Sequence, residues 1–430
     1  MTASHGLADL LPALRWRGMF HDATPTLEAR LATGRSIAGY IGFDPTGASL
    51  HAGHLVPIFG LIQLQRHGGR PVALVGGATG MVGDPSGRSA ERNLLADEEL
   101  RANAASIHVQ LERFLDFSPG PTQALMANNL DWLGEMRMLD FLRDVGKHFT
   151  VPYMLAKDSV QVRLDRGLSF TEFSYMLLQS ADFAHLHRTM GVELQMGGAD
   201  QWGNITAGLE LIRRTTVGED GMDPAFGLAY PLLLSPSGSK FGKTEGDTTV
   251  WLDASRTNPY TFYQYWLGTD DRDVGTYLRW FTVLDQDEIT ALDAEVSVRP
   301  EARTAQRRLA NDITTRLHGA EAAAHSARVS EEVFARESIV DPAVLATLFE
   351  AVDGFTFSAA AAGGTVLALL VASGTVASNG EARRLVAQGG VTVNDVRVGD
   401  IEERVPSPID GEWLVIRIGK KRLRVGRLAT

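Results

Sequence analysis

The 430-residue sequence contains no cysteine. That absence excludes a disulfide framework, a zinc ribbon and any thiol nucleophile. Also missing is an apolar run of the ~18–20 residues that would cross a bilayer. The N-terminus, MTASHGLADLLPALRWRG, has no basic start followed by a long apolar stretch, so no secretory signal is expected. A soluble cytoplasmic protein with no membrane partner is the expectation. Positive charge is in deficit, with 41 Lys+Arg against 52 Asp+Glu and a net charge of -11. Taken as a sum, that argues against a nucleic-acid partner. The sum hides a split. From Gly363 to the end, ten basic residues face seven acidic ones (+3), which leaves 31 against 45 (-14) elsewhere. RNA contact needs a local basic face, not a basic chain.

The length exceeds one hydrophobic core and implies two or three domains. Up to about residue 235, short apolar runs such as Ser36–Phe43 and Pro71–Gly76 read as buried parallel strands. Glycine-rich loops follow them, then amphipathic stretches such as His54–His67. Strand, glycine loop and helix in that order predict βαβ units and an α/β fold with an open, doubly wound sheet. From about Asn258 to Glu350 glycine is scarce, and segments such as Pro300–Leu317 read as helices. Gly354–Gly364 reads as a linker. The last segment predicts helices over Thr365–Ser373 and Asn379–Gln388, then strands over Gly390–Val398 and Trp413–Ile418. The expected domains are therefore 1–250, 251–354 and 363–430.

Five segments could carry chemistry. In Tyr40–His54 (YIGFDPTGASLHAGH), a strand ends and a helix begins near His51. His51 and His54, three apart at a helix start, can donate to phosphate beside the first-turn N–H groups. Gly53 would let a flat base approach the backbone. Lys240 and Lys243, in KFGKT, can grip a polyphosphate as point charges. A Walker A loop is ruled out, because Ser237 stands where it needs glycine and an extended segment follows. In Gly76–Arg88, Asp84 sits in a turn-forming Asp-Pro-Ser-Gly and could bind a cation, while Arg88 and Arg92 could face an anion. Ser169 and Glu172 have capping-box spacing. Tyr175, Gln179 and Asp182 then fall at i, i+4 and i+7 on one helix face. Gly197–Asn204 (GGADQWGN) sets a carboxylate and an amide on a glycine turn suited to ribose hydroxyls or a carbonyl. Each segment alone also has a structural reading: a capped helix start, a surface loop, a turn or a solvated face.

Together the five segments resemble the bacterial tyrosyl-tRNA synthetases, a family of class I aminoacyl-tRNA synthetases. HAGH is similar to the class motif HIGH, and KFGKT to the tyrosyl form of KMSKS. They stand in the right order, 189 residues apart from His51 to Lys240. YIGFDPT, GGATGMVGDPSG, TEFSYMLLQSADF and GGADQWGN are similar to the family's own signatures, and TVASNGEARRLVAQGGVTVNDVRV to an S-four-type RNA-binding domain. Ala52 departs from the class motif's isoleucine, and Pro57 lies early in the following helix, where proline is tolerated.

The resemblance implies a Rossmann-like catalytic domain, a helical anticodon-binding domain and a small α+β RNA-binding domain. It implies a tyrosine–tRNA ligase that joins L-tyrosine to ATP and then to tRNA(Tyr), and a homodimer. Tyr40 and Asp182 would meet the substrate phenol, and Tyr175, Gln179 and Asp84 its ammonium group. Asp44 and Gln201 would lie near the substrate and its carboxylate. Thr46 and His51 would stabilise the pyrophosphate end of ATP. His54, Gly198 and Asp200 would contact the ribose, with Gly53 beside the nucleotide, and Lys240, Lys243 and Thr244 would clamp the phosphates. Mg²⁺ is expected with ATP, held largely by the phosphates, with no dedicated protein cage. Buried groups left unpaired by phenylalanine would select tyrosine; in the family that rejection is about 10⁵ without editing. A tryptophanyl-type enzyme, or another nucleotidylyltransferase using the H-x-G-H motif, is the alternative.

Overall fold

The structure, a computed structural model, describes residues 6–86, 96–164, 167–216, 224–233, 241, 248–335, 338–352, 354–419 and 422–429. The chain divides into two units, one of 1–253 with 269–309 and the other of 254–268 with 310–430.

The first unit is built on six strands: β1 (Asp22–Ala23), β2 (Ala38–Phe43), β3 (Arg70–Val75), β4 (Leu125–Asn128), β5 (Val192–Gly198) and β6 (Phe226–Tyr230). Their order is β1-β6-β5-β2-β3-β4. All neighbours are parallel except β1 with β6. Nearly every residue of β3 and all of β6 are buried, as a sheet covered on both faces requires. The doubly wound fold read from the strand–loop–helix order is therefore present. Strand order reverses between β2 and β5, and the chain leaves their carboxyl ends in opposite directions. Such a switch point opens a crevice.

Helices Leu55–Arg66 and Phe170–Met190 cover the sheet. Helix Asp271–Phe281 belongs to this unit too, with Phe281 edge-on to Phe59 at 5.9 Å. Its last carbonyls need donors, because no following turn supplies them. The buried Arg17 guanidinium donates to the carbonyls of Arg279 (2.7 Å), Thr282 (3.0 Å) and Leu284 (2.7 Å). Ser169 caps helix Phe170–Met190 by accepting from the Glu172 N–H at 3.2 Å. The Glu172 carboxylate meets the buried Arg163 at 2.8 Å, so its role is an ion pair beneath the helix start.

The second unit carries β7 (Phe355–Phe357), β8 (Val391–Val393), β9 (Val396–Arg397), β10 (Trp413–Ile418) and β11 (Arg422–Leu428), ordered β7-β11-β10-β8-β9. Period-two alternation splits β10. Leu414, Ile416 and Ile418 pack against helices Val366–Ala372 and Asn379–Ala387. Trp413 and Val415 pack against residues of Ala320–Ala335 and Pro342–Ala351. The predicted strand Gly390–Val398 is a tight hairpin, β8–β9, with Asn394 and Asp395 at positive φ (46° and 61°).

The expected linker is corrected. Phe355–Phe357 is a strand paired in parallel with β11, and Ala359–Ala362 is a turn of helix. Phe355 and Phe357 are buried in the core, an apolar alternation that the neighbouring alanines and glycines obscured. The helical stretch is itself divided, with Asp271–Phe281 in the first unit and Pro259–Leu267 in the second. Among the described residues, no helix is long and apolar enough to cross a membrane.

Candidate active site

A cavity of about 570 Å³ opens at the β2/β5 switch point. It is lined from β2 and its loop by Tyr40, Asp44, Thr46, His51, Gly53 and His54. Helix Phe170–Met190 adds Tyr175, Gln179 and Asp182, and the β5 turn adds Gly198, Asp200 and Gln201. Asp84 and Thr79 close another side. Residues from four separate sequence segments thus meet in one space. Lys240, Lys243 and Thr244 lie outside the described residues, as do Arg88 and Arg92.

The deep end is a buried polar pair in an apolar wall. Tyr40 leans on Phe183, ring centroids 5.4 Å apart, and its hydroxyl is buried without a hydrogen-bond partner. The side-chain Oε1 of Gln195, the residue paired with Tyr40 across β2 and β5, is likewise buried and unpartnered. Buried polar atoms of this kind are costly unless something satisfies them. Asp182 is 1% exposed and accepts from Trp132 Nε1 (2.8 Å) and Asn129 Nδ2 (2.9 Å). Burial pushes its carboxyl up to about 7 despite those two donors. Burial, with the Asp182 charge nearby, raises the Tyr40 phenol well above its ordinary range. Trp132 is in turn stacked on His185 at 4.3 Å and 9°.

Towards the middle, carboxylates and amides form a hydrogen-bonded chain. Asp44 accepts from Thr79 Oγ1 (2.9 Å) and from the Tyr175 hydroxyl (3.0 Å). A Cβ on Gly76 would collide with Asp44 Oδ1, so glycine there makes room for the carboxylate. Asp84 has the turn-closing role read for it, and its second oxygen faces an amide. One oxygen accepts from the Ser86 N–H (2.9 Å) to close the turn, and the other accepts from Gln201 Nε2 (2.6 Å). Gln201 also accepts from Asn204 (3.1 Å) and Gln179 (3.4 Å), so it orients the carboxylate and amide beside it.

At the mouth stand the two histidines. His51 Nδ1 accepts from the Gly53 N–H (3.1 Å), and His54 Nδ1 accepts from the His51 N–H (3.1 Å). Each accepting nitrogen puts the ring proton on Nε2, which makes Nε2–H a donor. Burial lowers the His51 pKa, so its ring is neutral near pH 7. Gly53 also has a reason within the protein itself. A Cβ there would lie 2.8 Å from His51 Cε1, so the histidine ring itself requires the glycine.

Asn129, Trp132, Gln195 and Asn204 were not singled out from the sequence. Asn129 follows directly on β4, and the rule that ligands bind beyond strand carboxyl ends would have found it.

A parallel sheet whose switch-point cavity holds an H-x-G-H turn, a carboxylate-bearing helix and a glycine-turn carboxylate defines a class I aminoacyl-tRNA synthetase. Residues 32–335 match the family model described as tRNA synthetases class I (W and Y), and residues 345–425 match the tyrosine--tRNA ligase SYY-like C-terminal domain. The tyrosine--tRNA ligase of Anaeromyxobacter dehalogenans is 50% identical over 422 residues, covering 96% of this chain and 98% of that protein. The tyrosine--tRNA ligase of Geobacillus stearothermophilus is 47% identical, covering 98% of this chain and 100% of that protein. A C-terminally truncated mitochondrial tyrosyl-tRNA synthetase of Aspergillus nidulans superposes with a TM-score of 0.68 at 30% identity, covering 76% of this chain and 94% of that one. The chain belongs to the tyrosine--tRNA ligase family.

Proposed function

We propose that this protein activates L-tyrosine with ATP and then transfers the tyrosyl group to the terminal adenosine of tRNA(Tyr). The reading is carried by the buried Tyr40–Asp182 pair, a phenol and a carboxylate that nothing apolar would need. The tyrosine carboxylate attacks the α-phosphorus of Mg²⁺-bound ATP, one P–O bond forms, another breaks, and pyrophosphate leaves. A ribose hydroxyl of tRNA then attacks the acyl carbon, and AMP leaves.

Tyr40 and Asp182 read the phenol hydroxyl, while Asp84, Tyr175 and Gln179 hold the ammonium group. Asp44 and Gln201 align the side chains that meet the substrate. Thr46 and His51 stabilise charge growing on pyrophosphate, together with Lys240, Lys243 and Thr244. His54, Gly53, Gly198 and Asp200 receive the nucleoside. Catalysis is positioning plus phosphate-charge stabilisation, with no covalent enzyme intermediate. The helical stretch reads the anticodon region, and the basic C-terminal domain adds RNA contact. Tyrosine-dependent ATP–pyrophosphate exchange, followed by charging of tRNA(Tyr), tests this. Exchange supported by tryptophan and not tyrosine would move the protein to the neighbouring class.

We also propose a cytoplasmic homodimer joined through the helical segment 136–170. Eight of the fifteen large apolar residues exposed among the described ones lie there, including Met138 (71%), Leu139 (67%) and Phe170 (79%). Such clustering marks an interface. In a twofold interface each substitution counts twice. Phe170→Asp therefore weakens dimerisation by roughly a thousandfold, from about 2 kcal/mol per phenylalanine. Sedimentation equilibrium at micromolar concentration reads this; a variant as dimeric as the parent would place the interface elsewhere.

A further inference from the structure

The segment from Asp44 to His51 joins β2 to the short helical turn Ala52–His54, with no strand or helix of its own beyond an isolated bridge at His51. Its peptide groups must find partners outside regular structure. Three of them find partners on one helix. Asn103 Nδ2 donates to the Pro45 carbonyl at 3.1 Å, and Ser106 Oγ donates to the Ala48 carbonyl at 2.7 Å. Gln110 Oε1 accepts from the Leu50 N–H at 2.9 Å and from Ser49 Oγ at 3.2 Å. Gln110 Nε2 then donates to Ser106 Oγ at 3.2 Å, which ties the helix-side groups together.

Asn103, Ser106 and Gln110 stand at i, i+3 and i+7 of helix Asp97–Leu111, on one face. Asn103 and Gln110 are buried, so water does not take over their bonds. The loop is held from its other side as well, by Leu252 N–H on the Leu50 carbonyl (2.8 Å) and Asp253 N–H on Ser49 Oγ (3.1 Å). The pinned positions bracket Thr46 and end one residue before His51. None of the three helix residues lines the cavity.

We propose that this polar helix face is a clamp that positions Thr46 and His51 for the activation step, with Gln110 as its chief positioning residue. The proposal rests on the reading that Thr46 and His51 stabilise the leaving pyrophosphate. Apolar side chains at these three positions would bury similar area without fixing the direction of any loop peptide. The clamp aims donors at charge that exists only in the transition state, so it governs kcat and leaves substrate affinity alone. An ångström of misplacement at such donors costs up to about 100-fold.

The test is a mutant cycle read by tyrosine-dependent ATP–pyrophosphate exchange on the full-length protein. Gln110→Met keeps the side-chain length and removes both hydrogen-bonding ends. Expected is a fall in kcat of roughly 10- to 100-fold with KM for tyrosine within about twofold. In a Thr46→Ala/His51→Ala background the same change should cost less than about twofold, because nothing remains to be positioned. Ser106→Ala, at a half-buried site, removes one hydrogen bond and keeps the cycle readable if Gln110→Met folds poorly; it should cost about threefold in kcat. An undiminished cost of either substitution in the Thr46→Ala/His51→Ala background would overturn the clamp, as would parental kcat in folded Gln110→Met. Parental activity in Thr46→Ala/His51→Ala itself would overturn the underlying reading, and the clamp with it, in a separately measured protein.

Discussion

Asp182→Ala should lower kcat/KM for tyrosine by on the order of 100-fold while leaving KM for ATP within about threefold. A hydrogen bond to a charged, buried acceptor contributes about 1.5–3 kcal/mol, and its loss strands the substrate phenol together with the Asn129 and Trp132 donors. Discrimination against phenylalanine should collapse in the same variant, since the group that punishes a missing hydroxyl is gone. Steady-state exchange with each amino acid checks both. Unchanged tyrosine kinetics and specificity would remove Asp182 from the pocket.

The raised pKa of Asp182 adds a second readout. Its carboxyl binds a proton more tightly in the folded chain than in the unfolded one. The stability it contributes is therefore fully present below about pH 4 and is lost as pH rises through about 7. The swing is about 4 kcal/mol by linkage. Relative to the parent, Asp182→Ala should gain stability from pH 4 to pH 8, seen as a change in the difference between their denaturant midpoints. The ionised carboxylate is the stronger acceptor for the phenol, so tyrosine kcat/KM in the parent should fall below about pH 7. The carboxylate proposed to read the phenol is thus one that the fold holds at a cost.

What could be read in advance follows from how local each feature is. The strands with their glycine loops, the Tyr175–Gln179–Asp182 face and the histidine turn are properties of short windows, so period and spacing reveal them. Asn129 and Trp132 reach Asp182 from 53 and 50 positions away only because β4 lies at the end of one half of the sheet. Gln110 meets Leu50 across a gap of 60 residues, and nothing in its own helix distinguishes it from a solvated amide. The strand Phe355–Phe357 was hidden for another reason. Three residues between Gly354 and Ser358 carry too little period to outweigh the small-residue signal, and only pairing with β11 makes them a strand. Charge followed the same rule: the acidic sum concealed a basic C-terminal part because RNA reads a face and a sum does not.

His51→Asn should reduce kcat for tyrosine activation by roughly 100- to 1,000-fold with KM for tyrosine little changed, the size expected when one preorganised donor to developing charge is removed. Asparagine is the informative replacement because His51 has two duties. Its Nδ1 caps the turn Ala52–His54 by accepting from the Gly53 N–H, and asparagine is a strong capping residue. The shorter amide keeps the cap and withdraws the Nε2–H donor from the cavity, so the melting temperature should stay near the parent's while the rate falls. His51→Ala should lose about 1 kcal/mol of stability as well, from the missing cap. The burial that lowers the His51 pKa fixes the sign of the pH effect. The ring acts as a neutral donor, so raising the pH from 7 to 9 should not slow activation through this group. A cationic imidazole would instead give a rate that falls as pH climbs through a value below 6.5. A folded His51→Asn protein with the parental rate would reduce the histidine to a helix cap and return phosphate stabilisation to Thr46, Lys240 and Lys243.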